Sequence, residues 1–212
     1  MPISHDLKTI FIHIPKCAGE SMEKSLGMFG LVNGSAWANY WGIVNTNVAL
    51  QHLTICEIES LLKQQEDGQE IIDNYFKFAF VRNPWDRTVS EYHWYLKRSP
   101  KCSFDEWCEG LESRIKLNTM ISIYEIGHNI PQHKFICDDG DNIKVDFCGR
   151  FENLESDFKK VCDILNKPVK LSHSKNTAAK ERKNYRDYFG TKTKTIIKRI
   201  YAKDIDIFKY TF

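Results

Sequence analysis

Long apolar runs are missing from this chain. No stretch of roughly eighteen apolar residues occurs, so no integral membrane segment is expected, and no signal-peptide core follows the opening Met-Pro-Ile-Ser-His-Asp-Leu-Lys. An excess of one charge is missing too: 30 Lys and Arg stand against 28 Asp and Glu, a formal net charge of +2 that is too mild to announce nucleic-acid binding. Any anion site must therefore come from local clustering of basic residues. The seven cysteines are odd in number and scattered, with no Cys-x-x-Cys pair and no nearby His at zinc spacing. That fits a reduced, cytoplasmic compartment, with a contact between Cys102 and Cys108 left open. Internal repeats and low-complexity tracts are also absent. What is present is an ordinary globular composition: 212 residues, 42% apolar and 13% aromatic, enough for a substantial core in a single domain over residues 1–212.

Strands alternate with helices along the chain, the pattern of an α/β fold with a parallel sheet flanked by helices. The first strand carries Ile10, Phe11, Ile12 and Ile14, and the second spans residues 76–81. Helices are expected over residues 21–28, after the capping box Thr54-Ile-Cys-Glu57, and after Asn83, which stands as N-cap before Pro84. In that last helix Trp85, Val89, Tyr92 and Leu96 fall on one face. Further helices are expected after Ser103, over 152–166, and as one or two over 192–208, whereas 132–137 and 143–148 read as strands around an Asp-Asp-Gly-Asp turn. Residues 30–50, rich in Gly, Asn and Trp, read as an irregular surface excursion.

Two strand-to-loop-to-helix junctions carry the chemistry. They are Thr9-Ile-Phe-Ile-His-Ile-Pro-Lys16-Cys17-Ala18-Gly19-Glu20-Ser21 and Phe78-Ala-Phe-Val-Arg82-Asn-Pro-Trp-Asp-Arg-Thr-Val-Ser90. In each an apolar strand ends at a cation and turns into a helix, whose unpaired N–H groups and positive dipole end attract anions. Two such places suggest a ligand with two separated phosphate groups. The first is not the nucleoside-triphosphate loop G-x-x-x-x-G-K-[ST], because Lys16 precedes Gly19 instead of following it. Gly19 permits close backbone approach, and Ser21 adds a hydroxyl. At the second, the planar fork of Arg82 suits a phosphate, with Ser90 two helical turns on. A plainer reading stays open at both: an ordinary turn at the first, and at the second an Arg82 paired with Asp86 or Glu91 and a Ser90 that only packs.

These two segments resemble the 5′-phosphosulfate loop and the 3′-phosphate motif of sulfotransferases that use 3′-phosphoadenosine 5′-phosphosulfate (PAPS). The resemblance is to the carbohydrate branch, family 2, with its heparan and chondroitin enzymes and small bacterial relatives. It extends to Val145-Asp-Phe-Cys-Gly-Arg150-Phe-Glu152-Asn-Leu and to the final Tyr201 to Phe212 stretch, and leaves 30–50 and 100–130 as variable acceptor-side insertions. It implies a P-loop-like fold, sulfuryl transfer from PAPS to a hydroxyl or amine of a glycan or small molecule, release of 3′-phosphoadenosine 5′-phosphate (PAP), and no metal. Residues 16–21 would surround the 5′-phosphate, with Lys16 on the bridging oxygen, while Arg82 and Ser90 would hold the 3′-phosphate. Glu20 departs from the family, which often carries a small hydroxyl residue there; a helix-end role suits its charge.

His52, in Gln51-His52-Leu-Thr, occupies the place where glycan sulfotransferases carry a catalytic histidine, and an ordinary imidazole suits proton abstraction near neutrality. The other reading is a capping or surface histidine, with Glu57 and Glu59 as fallback bases. The stretch Ser172-His-Ser-Lys175-Asn176-Thr177-Ala-Ala-Lys180-Glu-Arg182-Lys183 resembles the family's late loop over the nucleotide, making Asn176, Lys180 and Arg182 candidate cofactor contacts; a solvated charge run is the alternative. Trp37, Tyr40 and Trp41 read equally as stacking platforms or core. A nucleotide kinase and a catalytically silent nucleotide- or glycan-binding protein remain as other function classes. The oligomeric state is not legible.

Overall fold

Apolar β-branched and aromatic residues on both faces of two neighbouring strands decide the architecture, because such strands must be covered on both sides. A computed structural model describes residues 3–28, 50–97, 101–117, 128–172 and 182–212. Strand β2 (Thr9–Ile12) is buried at every position and pairs in parallel with β3 (Phe76–Val81), setting Phe11 opposite Phe78 and Ile12 opposite Ala79. The Phe11 and Phe78 rings stack with centroids 4.8 Å apart, a cross-strand aromatic pair. Strand β4 (Phe147–Arg150) pairs in parallel on the far side of β3, and a short β1 (Ile3–Ser4) folds back antiparallel on β2. The sheet order is β1-β2-β3-β4. The expected α/β fold is therefore found, with one antiparallel edge strand added to an otherwise parallel sheet.

Helix α1 (Gly19–Leu26) follows β2, α2 (Ile55–Leu62) and α3 (Gly68–Asn74) lead into β3, and α4 (Pro84–Tyr95) follows it. Then come α5 (Phe104–Glu109), α6 (Leu111–Leu117), the single turn α7 (His133–Ile136), α8 (Leu154–Ile164), α9 (Thr191–Ile200) and α10 (Ala202–Ile207). The capping boxes at Thr54/Glu57 and Ser103/Glu106 both form, and Asn83 caps α4 with Pro84 at its first position. One core lies on the sheet, built from residues such as Ile10, Phe78, Ile55 and Phe158. A second joins Trp85 and Tyr92 of α4 to Trp107, Leu111, Ile197 and Tyr201.

Residues 132–137 are not a strand. The buried carboxylate of Asp204, on α10, accepts hydrogen bonds from the backbone N–H of Gln132 (2.7 Å) and of His133 (2.9 Å), and so caps a helical turn. Of the expected hairpin only an isolated bridge, Cys137 to Ile143, survives, and the second strand begins at Phe147 and pairs with β3 instead. A contact from 70 residues downstream overrode local β preference. Cys102 and Cys108 are free thiols, which closes the question of a bond between them.

Candidate active site

The tips of β2 and β3 place the two junctions side by side. Lys16 and Ala18 have left-handed backbones, φ 68° and 66°, and flank the buried Cys17. Non-glycine residues adopt this conformation at a cost of roughly 1–2 kcal/mol each, and such strain concentrates where backbone is turned towards a ligand. Helix α1 starts here with Ala18 as N-cap and no side-chain cap, so its first N–H groups face the loop. A Cβ on Gly19 would lie 2.1 Å from Nε2 of His13, which explains the glycine by space rather than by φ. His13 itself is a packing residue beneath the loop, donating from Nδ1 to Glu23 at 2.8 Å.

Arg82 joins the junctions. Its Nη1 donates to the Lys16 carbonyl at 2.9 Å and its Nε to Asp86 at 2.7 Å, while its guanidinium lies 3.7 Å over the Phe151 ring. The plainer pairing with Asp86 is thus realised, and Asp86 is shared: Arg182 also bonds to it. Burial pulls both guanidinium groups down, each to about 10. Ser90 is half-buried on α4, and Ser21 half-buried on α1. Glu20 is exposed, its carboxylate 3.9 Å from Lys24, so its charge lies along the helix. Asn176 and Lys180 lie outside the described residues, as do Trp37, Tyr40 and Trp41. The chain on either side of 173–181 is anchored at both junction helices: Ser172 N–H donates to Ser25 of α1 at 2.6 Å, and Arg182 meets Asp86 of α4.

Lys16 is half-buried, with its ammonium 5.6 Å from the centroid of Trp94. Burial lowers its proton affinity, and the Glu91 carboxylate opposes that shift. Burial pushes the neighbouring Cys17 thiol up to about 12, so it stays protonated and donates to Gln132 at 3.4 Å.

His52 sits in a 3₁₀ turn, Leu50–His52, directly before α2. Its Nδ1 lies 3.0 Å from the His13 carbonyl, which can only accept, so Nδ1 carries the proton and Nε2 is the basic nitrogen. The His52 ring stands edge-on to those of His13 and His128, at 4.8 and 5.1 Å. Burial, with those two rings adding to it, holds its pKa well below 6.5. The other described histidines bond to a carboxylate or a tyrosine hydroxyl: His5 to Tyr75, His93 to Tyr188, His128 to Glu91 and His133 to Asp204. Glu57 closes its capping box and Glu59 meets Lys144 at 3.4 Å, which occupies both fallback bases.

A match to known proteins now has a geometry to rest on. The model of a family described as the sulfotransferase family matches residues 1–211. The chain belongs to the sulfotransferase family. A relative from Archaeoglobus fulgidus, described as an uncharacterized protein, is 40% identical over 123 residues, covering 56% of this chain and 89% of the relative. No solved structure matches. Among the described residues of this sulfotransferase no helix is long and apolar enough to cross a membrane, and no group of three His, Cys, Asp or Glu side chains could hold a metal ion.

Sequence reasoning missed Arg87, Gln132 and Glu152. Arg87, almost fully buried, donates to the carbonyls of Pro15 (3.1 Å), Ile130 (3.0 Å) and His128 (2.8 Å), clamping the sulfotransferase's Lys16 loop to a distant segment. Gln132 brackets Arg82 by accepting from its N–H and donating to its carbonyl, both at 2.8 Å. Glu152 accepts from the Asn83 N–H at 2.6 Å. Arg87 lies one turn before Glu91, opposite the apolar face of α4, where it reads as a solvated charge. Glu152 stands in a segment that carries the family resemblance, whereas Gln132 had no signal.

Proposed function

We propose that this chain transfers a sulfuryl group from PAPS to a hydroxyl, or less favourably an amine, of a glycan or small metabolite. The observation that carries the reading is the bond from Arg82 to the Lys16 carbonyl, which fuses two cation-bearing strand tips beside the uncapped start of α1. One ligand with two phosphate groups fits such a pair. The backbone of residues 16–21 and the Lys16 ammonium serve the 5′-phosphate; Arg82 and Ser90, with Lys180, Arg182 and Lys183, serve the 3′-phosphate, and Asn176 is a further contact to the nucleotide.

The chemistry follows from the residues. His52 takes the acceptor proton on Nε2 as the acceptor oxygen forms its bond to sulfur, and the bond from sulfur to the 5′-phosphate oxygen breaks in line, with that oxygen keeping the electron pair. Lys16 meets the charge that develops there, so its contribution grows towards the transition state and raises the rate rather than only the affinity.

Calorimetry with PAP and a transfer screen with labelled PAPS against oligosaccharides, phenols, amines and small alcohols test the reading. Binding of PAP is expected, with transfer reduced about 100-fold or more in Lys16→Ala and in His52→Ala. Failure of the folded chain to bind PAP overturns it. Binding without transfer to any acceptor points to a silent nucleotide-binding protein instead.

A further inference from the structure

Helix α4 carries a second, polar stripe that the transfer chemistry does not use directly. Arg87, Glu91 and Trp94 follow one another at helical spacing, four and three residues apart, on the side of α4 opposite Trp85, Val89 and Tyr92. Glu91 is almost fully buried, and both of its oxygens lie 3.1 Å from Nδ1 of His128, which donates to them. Trp94 stacks on the other side of that imidazole, with centroids 4.3 Å apart and planes 29° apart. The same indole has the Lys16 ammonium 5.6 Å from its centre. His128, fixed by Glu91 and Trp94, presents its ring edge-on to His52 at 5.1 Å. Arg87 holds the 128–130 backbone in place beneath it.

One buried carboxylate therefore fixes the ring beside the base, and the indole stacked on that ring borders the cation assigned to the leaving group. We propose that Glu91 is a positioning residue for both halves of the transfer site, seating His128 against His52 and, through the Trp94 ring stacked on His128, setting the indole beside the Lys16 ammonium. This rests on the sulfuryl-transfer reading for its purpose, though not for its geometry. The charges that act on Lys16 are those of Glu91 and Lys97 from the α4 side, Arg82 from the tip of β3 and Glu20 from α1. Of these Glu91 is the buried anion, while Glu20 is exposed. Burial and the two other cations all disfavour the ammonium, and the Glu91 charge, with a smaller contribution from Glu20, opposes them.

Glu91→Gln and Glu91→Asp in the full chain test this. PAP affinity is followed by calorimetry from about pH 7.5 upwards, where phosphomonoesters are already fully charged, so an alkaline loss of affinity reports protein cations. Removing the negative charge lets Lys16 lose its proton at lower pH. In Glu91→Gln the alkaline edge of PAP binding is expected to move to lower pH, and in Glu91→Asp to stay in place. Ring-nitrogen NMR of the free protein is expected to show displaced His128 and His52 signals in Glu91→Gln. His128→Gln keeps the carboxylate and is expected to shift the His52 signals while leaving the PAP edge unmoved; it carries the test if Glu91→Gln does not fold. A folded Glu91→Gln with an unmoved edge and unmoved His52 signals overturns the proposal, as does Glu91→Asp behaving like Glu91→Gln. If the wild-type chain binds no PAP, the donor reading has failed on its own, and the histidine spectra still decide what Glu91 does.

Discussion

His52 differs from its neighbours in where its one described hydrogen bond goes. A carboxylate partner would favour the imidazolium, whereas the His13 carbonyl fixes the tautomer without adding a full negative charge. Burial then keeps the ring neutral, since two more imidazoles crowd it and a charge there would be poorly solvated. A base must be unprotonated to act, so a depressed pKa extends the active range towards acid. The acidic limb of kcat/KM for transfer is therefore expected below pH 6.5, and a pH–rate profile on whichever acceptor the screen yields measures it. Lys16 is the complementary case, a cation that burial weakens and that the proposed transfer needs charged. If both proposed roles hold, the active range is expected to be bounded by His52 on the acid side and Lys16 on the alkaline side.

Helices α1 and α4 show how much of the site was legible beforehand. Both N-termini could be read, α4 from Asn83 and Pro84 and α1 from the strand that precedes it, because capping chemistry and apolar runs are local properties. The apolar face of α4 was legible for the same reason. Its polar face was not, since Arg87 and Glu91 look like solvated charges until residues 40 positions away cover them. Turn α7 was misread because its cap, Asp204, lies on another helix. At α1 two effects oppose each other in Gly19→Ala. Alanine improves helix propensity by about 1 kcal/mol, but its Cβ would press on the His13 ring, buried and tied to Glu23, and overpacking of that kind costs about 1–3 kcal/mol. The steric cost wins, so a lower melting temperature and weaker PAP binding are expected, read by thermal denaturation and calorimetry.

At the scale of the whole molecule, the last two helices and the residues after them return to the strand tips. Asp204, fully buried, receives the Gln132 and His133 N–H groups and the His133 ring at 2.6 Å, while the Thr211 carbonyl accepts from Asn83 and Tyr210 donates to Glu152 at 3.0 Å. Gln132 in turn brackets Arg82, so residues 200–212 support the site from behind. Asp204→Ala strands three buried donors at once and is expected to cost about 3–5 kcal/mol of stability, measured by urea denaturation at neutral pH.

The contact between Arg82 and the Lys16 carbonyl has a consequence for recognition. Because the guanidinium holds the backbone that carries the lysine, the two strand tips cannot spread apart or close up independently. Under the proposed donor reading, a molecule bearing two anionic groups is then expected to be sorted by the gap between them as well as by its total charge, one with the wrong gap satisfying a single end and leaving the other in water.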